Sequence, residues 1–218
     1  KYAIEKNKSS LIENYKKNLE LLTKNHVYSK EMEHDACGVG LIASTEGKKS
    51  RAIVEYGIEA LKAVWHRGAV DADGKTGDGA GIHVEIPKDF FIEKIQVTGH
   101  DYDNSEICVG MIFLPRNDYS AQESCKTIVE SELTKNNFSI YGWRQVPVNP
   151  KVLGEKALQT MPEIIQVLFK PNDSNLLDKN LERKIYEIRK RIENKAFDAS
   201  LNNFYICSIS SKSIIYKG

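Results

Sequence analysis

Two short apolar runs, each halted by a proline, constrain this chain most. Ile82 to Ile86 stops at Pro87, and Val109 to Leu114 stops at Pro115. Proline has no backbone N–H and a fixed φ, so neither run can be prolonged as a ladder strand or as helix interior. Both are too short for a helix and have the length of strands. Further strands are predicted at 38–44, ahead of a turn at Glu46-Gly47-Lys48, and at 138–148 and 164–169. Residues 204–216 are expected to close the chain as a hairpin turning at Ser211-Lys212. Between these runs the period changes to that of a helix. Ser50 can cap one whose inner stripe is Ile53, Gly57, Ala60, Leu61 and Val64, ended by Gly68. A short helix is predicted from Asp89 to Ile95, another over 119–135 with Ser120 near its start, and a long charged one striped by Leu181, Ile185, Ile188 and Ile192. Strands and helices come in runs rather than in strict β-α-β alternation, which predicts an α+β fold.

The 218 residues favour one domain with an appendage. The 31 basic residues balance the 30 acidic ones, and no basic stripe favours nucleic acid as a partner. Cysteines 37, 108, 125 and 207 show neither CxxC spacing nor the density of a disulfide scaffold, so reduced thiols and a cytoplasmic location are expected. No apolar run approaches the roughly 18 to 20 residues that cross a bilayer, so no membrane partner is expected. Residues 1–36 carry one amphipathic helix, with Leu11, Tyr15, Leu19 and Leu22 at helical spacing. Glu5, Glu13, Glu20, Glu31 and Glu33 make them too acidic for an organellar transit peptide, and they lack the apolar core of a secretory signal. They read as a propeptide. The first residue is not methionine and the chain stops abruptly at Tyr216-Lys217-Gly218, which predicts a piece of a longer protein.

Chemistry concentrates at Cys37, within Asp35-Ala36-Cys37-Gly38-Val39-Gly40. If the chain were cut before Cys37, one residue would own a thiol titrating near about 8.5 and an α-amine near about 7.7 to 8.0. The amine could then accept the thiol proton at neutral pH, and no histidine would be needed. The plainer alternative is that Cys37 is a small hydrophobe beside Val39, Leu41 and Ile42. Downstream, Gly74-Lys75-Thr76 does not complete a phosphate loop, because Ala69 stands where the first glycine belongs. Asp71, Asp73 and Asp78 do not complete a calcium loop, because Lys75 takes a ligand position. No metal site is expected. Gly77, Gly79 and Gly81 do not form GxGxxG, and are read as sites of close backbone approach.

Cys37-Gly38-Val39-Gly40, followed by Trp65-His66-Arg67-Gly68-Ala69-Val70-Asp71-Ala72-Asp73 and Thr76-Gly77-Asp78-Gly79-Ala80-Gly81-Ile82, resembles the class II glutamine amidotransferase domain of the glutamate synthases. Other class II amidotransferases also open on Cys-Gly and carry an Arg-Gly turn, but they lack the insert that ends here in GDGAGI. Weaker echoes at 142–148, 162–166 and 204–208 extend the resemblance over about residues 34 to 218. It implies a four-layer αββα sandwich of the N-terminal-nucleophile hydrolases, incomplete at the C-terminal end, with 1–36 as propeptide and 37–218 as the N-terminal part of the domain. It implies that Cys37 is the catalytic nucleophile. Arg67 would lower the thiol pKa and order the pocket, with His66, Gly68, Asp78 and Gly79 as active-site support: His66 as a structural partner, Asp78 fixing its own glycine loop.

The activity so implied is hydrolysis of L-glutamine to glutamate and ammonia for reductive transfer to 2-oxoglutarate. No cofactor is implied for this segment; FMN and an iron–sulfur cluster belong to later domains. The implied partners are L-glutamine and the downstream synthase domains, with a small electron-supplying subunit left open. In the family an Asn-Gly pair supplies an oxyanion donor and a later arginine grips the substrate carboxylate. This chain has neither, so low activity is expected of residues 1–218 alone. Two other readings stay open: an amidotransferase that feeds a sugar or phosphoribosyl acceptor, and a non-catalytic α+β binding domain in which Cys37 is never processed.

Overall fold

The structure, a computed structural model, describes residues 2–25, 38–64 and 68–218. The chain divides into two units, Lys1–Cys37 and Gly38–Gly218. The first holds helix α1 (Tyr2–Asn25), on which Tyr15, Leu21 and Leu22 remain exposed. The second is a mixed α/β unit with antiparallel sheets. In order it contains α2 (Arg51–Ala63), β1 (Gly81–Glu85), α3 (Lys88–Val97), β2 (Cys108–Leu114), α4 (Tyr119–Lys135), β3 (Phe138–Gln145), α5 (Glu155–Thr160), β4 (Glu163–Pro171), α6 (Asp178–Asp198), β5 (Tyr205–Ser210) and β6 (Ser213–Lys217).

A four-stranded sheet in the order β3-β4-β2-β5 is the centre of this unit, and every pairing in it is antiparallel. Successive side chains of a strand point to opposite faces, and here both faces are covered. Cys108, Ile112, Leu114, Ile165, Val167 and Phe169 meet Val129 and Leu133 of α4 and Leu181, Ile185, Ile188 and Ile192 of α6. Val109, Met111 and Leu168 meet Phe91 and Ile95 of α3 and Ile214 of β6 on the other side. Double burial explains why 109–114 reads as a continuous apolar run instead of an alternating one. Asp118 caps α4 by accepting from the Ala121 N–H at 2.9 Å. Between the two helices, Glu132 is buried and paired with Lys195.

Two expectations are corrected. Residues 38–44 form no strand: Val39 is 92% and Leu41 89% exposed. A β-prone run becomes a strand only against a partner, and β1 pairs with β6 instead. Residues 204–216 are not a hairpin, because β5 pairs with β2 in the large sheet while β6 crosses to β1 in a separate two-stranded sheet. The cause is a corner held by Glu182 of α6. Its Oε1 accepts from the Ser211 N–H at 2.7 Å and the Ser211 hydroxyl at 2.8 Å, and its Oε2 from the Ser210 hydroxyl at 2.9 Å. The Ser210 Oγ accepts from the Lys212 N–H at 2.9 Å, closing the turn. Beyond the corner, Ser208 Oγ accepts from the Ile215 N–H at 3.1 Å and Cys207 Sγ donates to the Ile215 carbonyl at 3.5 Å, so side chains substitute for the missing ladder.

Ile188 is fully buried between α6 and the sheet. Its replacement by alanine removes three carbons from a packed interior and should cost about 2 to 5 kcal/mol. Tyr186, 59% exposed on the same helix, should tolerate alanine within about 0.5 kcal/mol. Urea unfolding of the two variants measures the contrast; equal midpoints would contradict this packing.

Candidate active site

Cys37, His66 and Arg67 lie outside the described residues; Gly68, Asp78 and Gly79 lie within them. These three belong to one exposed loop between α2 and β1. Val70 and Gly77 form an antiparallel bridge, making 69–78 a tight hairpin. Its base is closed twice, by the Asp78 N–H donating to the Ala69 carbonyl at 3.1 Å and by the Ala69 N–H donating to Asp78 Oδ2 at 2.9 Å. Asp78 thus spends a carboxylate oxygen on backbone just after Gly68. Gly79 then runs so near the end of β6 that a Cβ there would lie 2.8 Å from the Gly218 carbonyl oxygen. Ala80 and Gly218 exchange both backbone hydrogen bonds, at 2.9 and 3.0 Å, continuing the β1–β6 ladder into the loop.

Asp73 organises the hairpin tip. Its Oδ1 accepts from the Lys75 N–H at 2.9 Å and the Thr76 N–H at 2.7 Å, and its Oδ2 from the Thr76 hydroxyl at 2.5 Å. Oδ2 also accepts from the Glu155 N–H at 3.1 Å, at the start of α5. Lys156 reaches Asp71 Oδ2 at 2.6 Å. Gly154 is buried against the tip, where a Cβ would come within 2.0 Å of Thr76 Oγ1. Asp73, Gly154 and Lys156 were not among the expected site residues. Asp73 followed by Gly74 has the form of a side-chain-mediated turn and could have been read as one. Nothing local in the sequence marks Gly154.

The carboxylates of Asp71, Asp73 and Asp78 are therefore taken up by protein N–H, hydroxyl and ammonium donors. Among the described residues no group of three or more His, Cys, Asp or Glu side chains could hold a metal ion. Nor do the described thiols offer a rival nucleophile. Burial pushes the Cys108 thiol well above its ordinary value, Cys125 up to about 11, and Cys207 upward. All three are buried, and a nucleophile or cluster ligand must be a thiolate. Beside Ala80 and Gly218 a groove of about 320 Å³ opens between Leu61, Ile82, Met111, Val146, Ile164 and Tyr216. The hydroxyl of Tyr216 accepts at 3.4 Å from the fully buried Gln166, which in turn accepts from Arg144 Nη1 at 2.8 Å. Among the described residues no helix is long and apolar enough to cross a membrane.

The Thr76 hydroxyl, followed by the Lys75 and Thr76 N–H groups, lowers the Asp73 pKa from 3.8 to about 2. The folded-state value lies below the unfolded one, so the hairpin gains from Asp73 fully above about 3.8 and loses that gain as pH falls through about 2. Carboxylate NMR should find the Asp73 midpoint near 2; a midpoint at or above 3.8 would contradict these hydrogen bonds.

The comparisons with known proteins agree on one lineage. The chain is 52% identical over 207 residues to the glutamate synthase [NADPH] large chain of Azospirillum brasilense, covering 95% of this chain and 14% of that protein. It is 40% identical over 203 residues to the ferredoxin-dependent glutamate synthase of Pyropia yezoensis, covering 91% and 13%. To the chloroplastic enzyme of Spinacia oleracea it is 39% identical over 189 residues, covering 85% and 12%. The chain therefore spans only about one seventh of the length of these relatives. The family described as glutamine amidotransferases class-II matches residues 37–218, starting on Cys37 itself, and the chain belongs to that family.

Proposed function

We propose that this chain is the glutaminase segment of a glutamate synthase, with Cys37 as its nucleophile and residues 1–36 as a propeptide removed to expose the Cys37 amine. The observation that carries this reading is a family match that begins on the one cysteine preceded by a leader and followed by Gly38-Val39-Gly40. On it, the Cys37 thiolate attacks the side-chain amide carbon of L-glutamine and the Cys37 amine takes the thiol proton. The tetrahedral oxyanion collapses, the amine delivers the proton to the departing ammonia, and a γ-glutamyl thioester remains for water to cleave to glutamate. A neighbouring guanidinium favours the thiolate, and that is the role given to Arg67.

The domain reading is a four-layer αββα sandwich. Its support is the order of the described parts: α4 and α6 on one face of the large sheet, the β1–β6 sheet on the other, and α2 against β1, where a Cβ on Gly57 would lie 3.3 Å from Ile82 Cδ1. The ammonia would serve reductive transfer to 2-oxoglutarate in synthase domains of the complete enzyme. FMN and an iron–sulfur cluster are assigned to those domains, since the separate, buried thiols of Cys108, Cys125 and Cys207 do not fit a cluster. A cytoplasmic location accords with the reduced cysteines.

Intact mass of the full-length protein expressed in cells should show loss of residues 1–36. A stable, active enzyme that retains them would sink the propeptide. Cys37→Ser should abolish glutamine-dependent synthesis and leave ammonia-dependent synthesis measurable, because the thiol acts only in releasing ammonia; Arg67→Ala should weaken glutamine use less completely. Glutamine turnover within about tenfold of wild type in Cys37→Ser would require another nucleophile.

A further inference from the structure

We propose that the 69–78 hairpin and α5 form one conformational device, a strap that orders and opens in a single step because Asp73 of the hairpin supplies the N-terminal cap that α5 lacks. Every contact in the strap lies within the second unit and is independent of the roles given to Cys37 and Arg67.

A helix leaves its first N–H groups without intrahelical partners. Gly154, at the cap position of α5, has no side chain to accept from them. The acceptor comes from across 82 residues of sequence: Asp73 Oδ2 takes the Glu155 N–H at 3.1 Å. Asp73 Oδ1 meanwhile takes the Lys75 and Thr76 N–H groups at 2.9 and 2.7 Å and so shapes the hairpin tip. One carboxylate therefore makes the turn of the first element and the cap of the second. The approach is close enough that any Cβ on Gly154 would come within 2.0 Å of Thr76 Oγ1 and 2.3 Å of Asp73 Oδ2. Lys156 adds the ion pair to Asp71 at 2.6 Å.

Helix α5 has six residues, none of them buried, and none belongs to either apolar cluster of the unit. A helix of this length is marginal in water by itself. Just past it, Arg116 Nη1 reaches Met161 Sδ at 3.6 Å, and a thioether is a weak acceptor. Residues 69–78 bury no side chain either. With no apolar core of their own, the two elements take their order from each other. Both also continue into walls of the apolar groove. The hairpin runs through Gly79 into residues 80–82, residues 146–148 run through 149–154 into α5, and both stretches line that groove. Opening the strap thus frees the chain beside two of its walls at once.

Two substitutions cut the shared contact from opposite sides. Asp73→Asn can keep an acceptor for Lys75 and Thr76 but turns an amide N–H₂ toward the Glu155 N–H. Glu155→Pro deletes that N–H at the first helical position, where proline favours the helix itself. Gly154 before it already has the extended φ of −72° and ψ of 164° that a following proline prefers. Hydrogen–deuterium exchange of the full-length enzyme, read by mass spectrometry on peptides covering 69–78 and 155–161, gives the crossed effects. Asp73→Asn should speed exchange in 155–161 by about fivefold, the loss typical of a helix cap, and Glu155→Pro should do the same in 69–78. Peptides from β2 and α6 should exchange as in the wild type. Faster exchange confined to the element that carries the substitution, wild-type exchange in both segments, or an equal acceleration in β2 and α6 overturns the strap.

Discussion

The Glu182 carboxylate at the corner between β5 and β6 is the interaction on which the rest of the second unit depends. Two successive serines with adjacent hydroxyls give the chain a way to leave one sheet without abandoning its hydrogen bonds, and Glu182 of α6 accepts from both. Because the chain turns there, β6 reaches the face opposite α4 and α6 instead of extending the large sheet at its edge. Strand β1 consequently has a partner, the apolar face holding Val109, Met111 and Leu168 has a cover, and the ladder ends at Gly218 beside Ala80, where the loop of the candidate site begins. Replacing the serines by apolar residues would remove both hydroxyl donors and leave the half-buried Glu182 with the Ser211 N–H at the corner, a loss that costs more than either hydrogen bond contributes.

Most helices and central strands were legible because their apolar period follows directly from what they bury. Leu181, Ile185, Ile188 and Ile192 all lie in the core of α6 as the helical stripe requires, and Val109 to Leu114 is a strand closed by Pro115. The misreadings share a cause. Residues 38–44 and the apparent hairpin at 204–216 have strand-like composition, but which strand pairs with which is decided by long-range contacts that local pattern does not carry. Helix α5 is illegible for a related reason: none of its six residues is fully buried, so it leaves no apolar period to read.

At the candidate site the legible part was the list of residue types, and the illegible part was their partners. The resemblance drew attention to Asp78 and the glycines, and Asp78 is found bonded to Ala69. Read from local spacing, Asp73 offers only one member of an incomplete calcium loop. Its real partners are four protein donors, one of them at Glu155, a connection that exists only once β3 and β4 have brought the 149–161 segment back across the sheet end.

The α4–α6 side of the sheet and the 68–80 hairpin are held by different forces, and this has a consequence for motion. The α4–α6 side rests on a contiguous apolar cluster whose opening would expose more than a dozen buried side chains at once. The 68–80 hairpin rests on hydrogen bonds and an ion pair in exposed positions, where water competes for every partner; an exposed pair such as Lys156–Asp71 contributes about 0 to 1 kcal/mol. Local opening free energies therefore rise from the hairpin toward the helices. An element tied by a few directional polar contacts can open and close without disturbing the core. Directional contacts also return the loop to one geometry when it closes, which non-directional apolar packing on an exposed surface would not enforce.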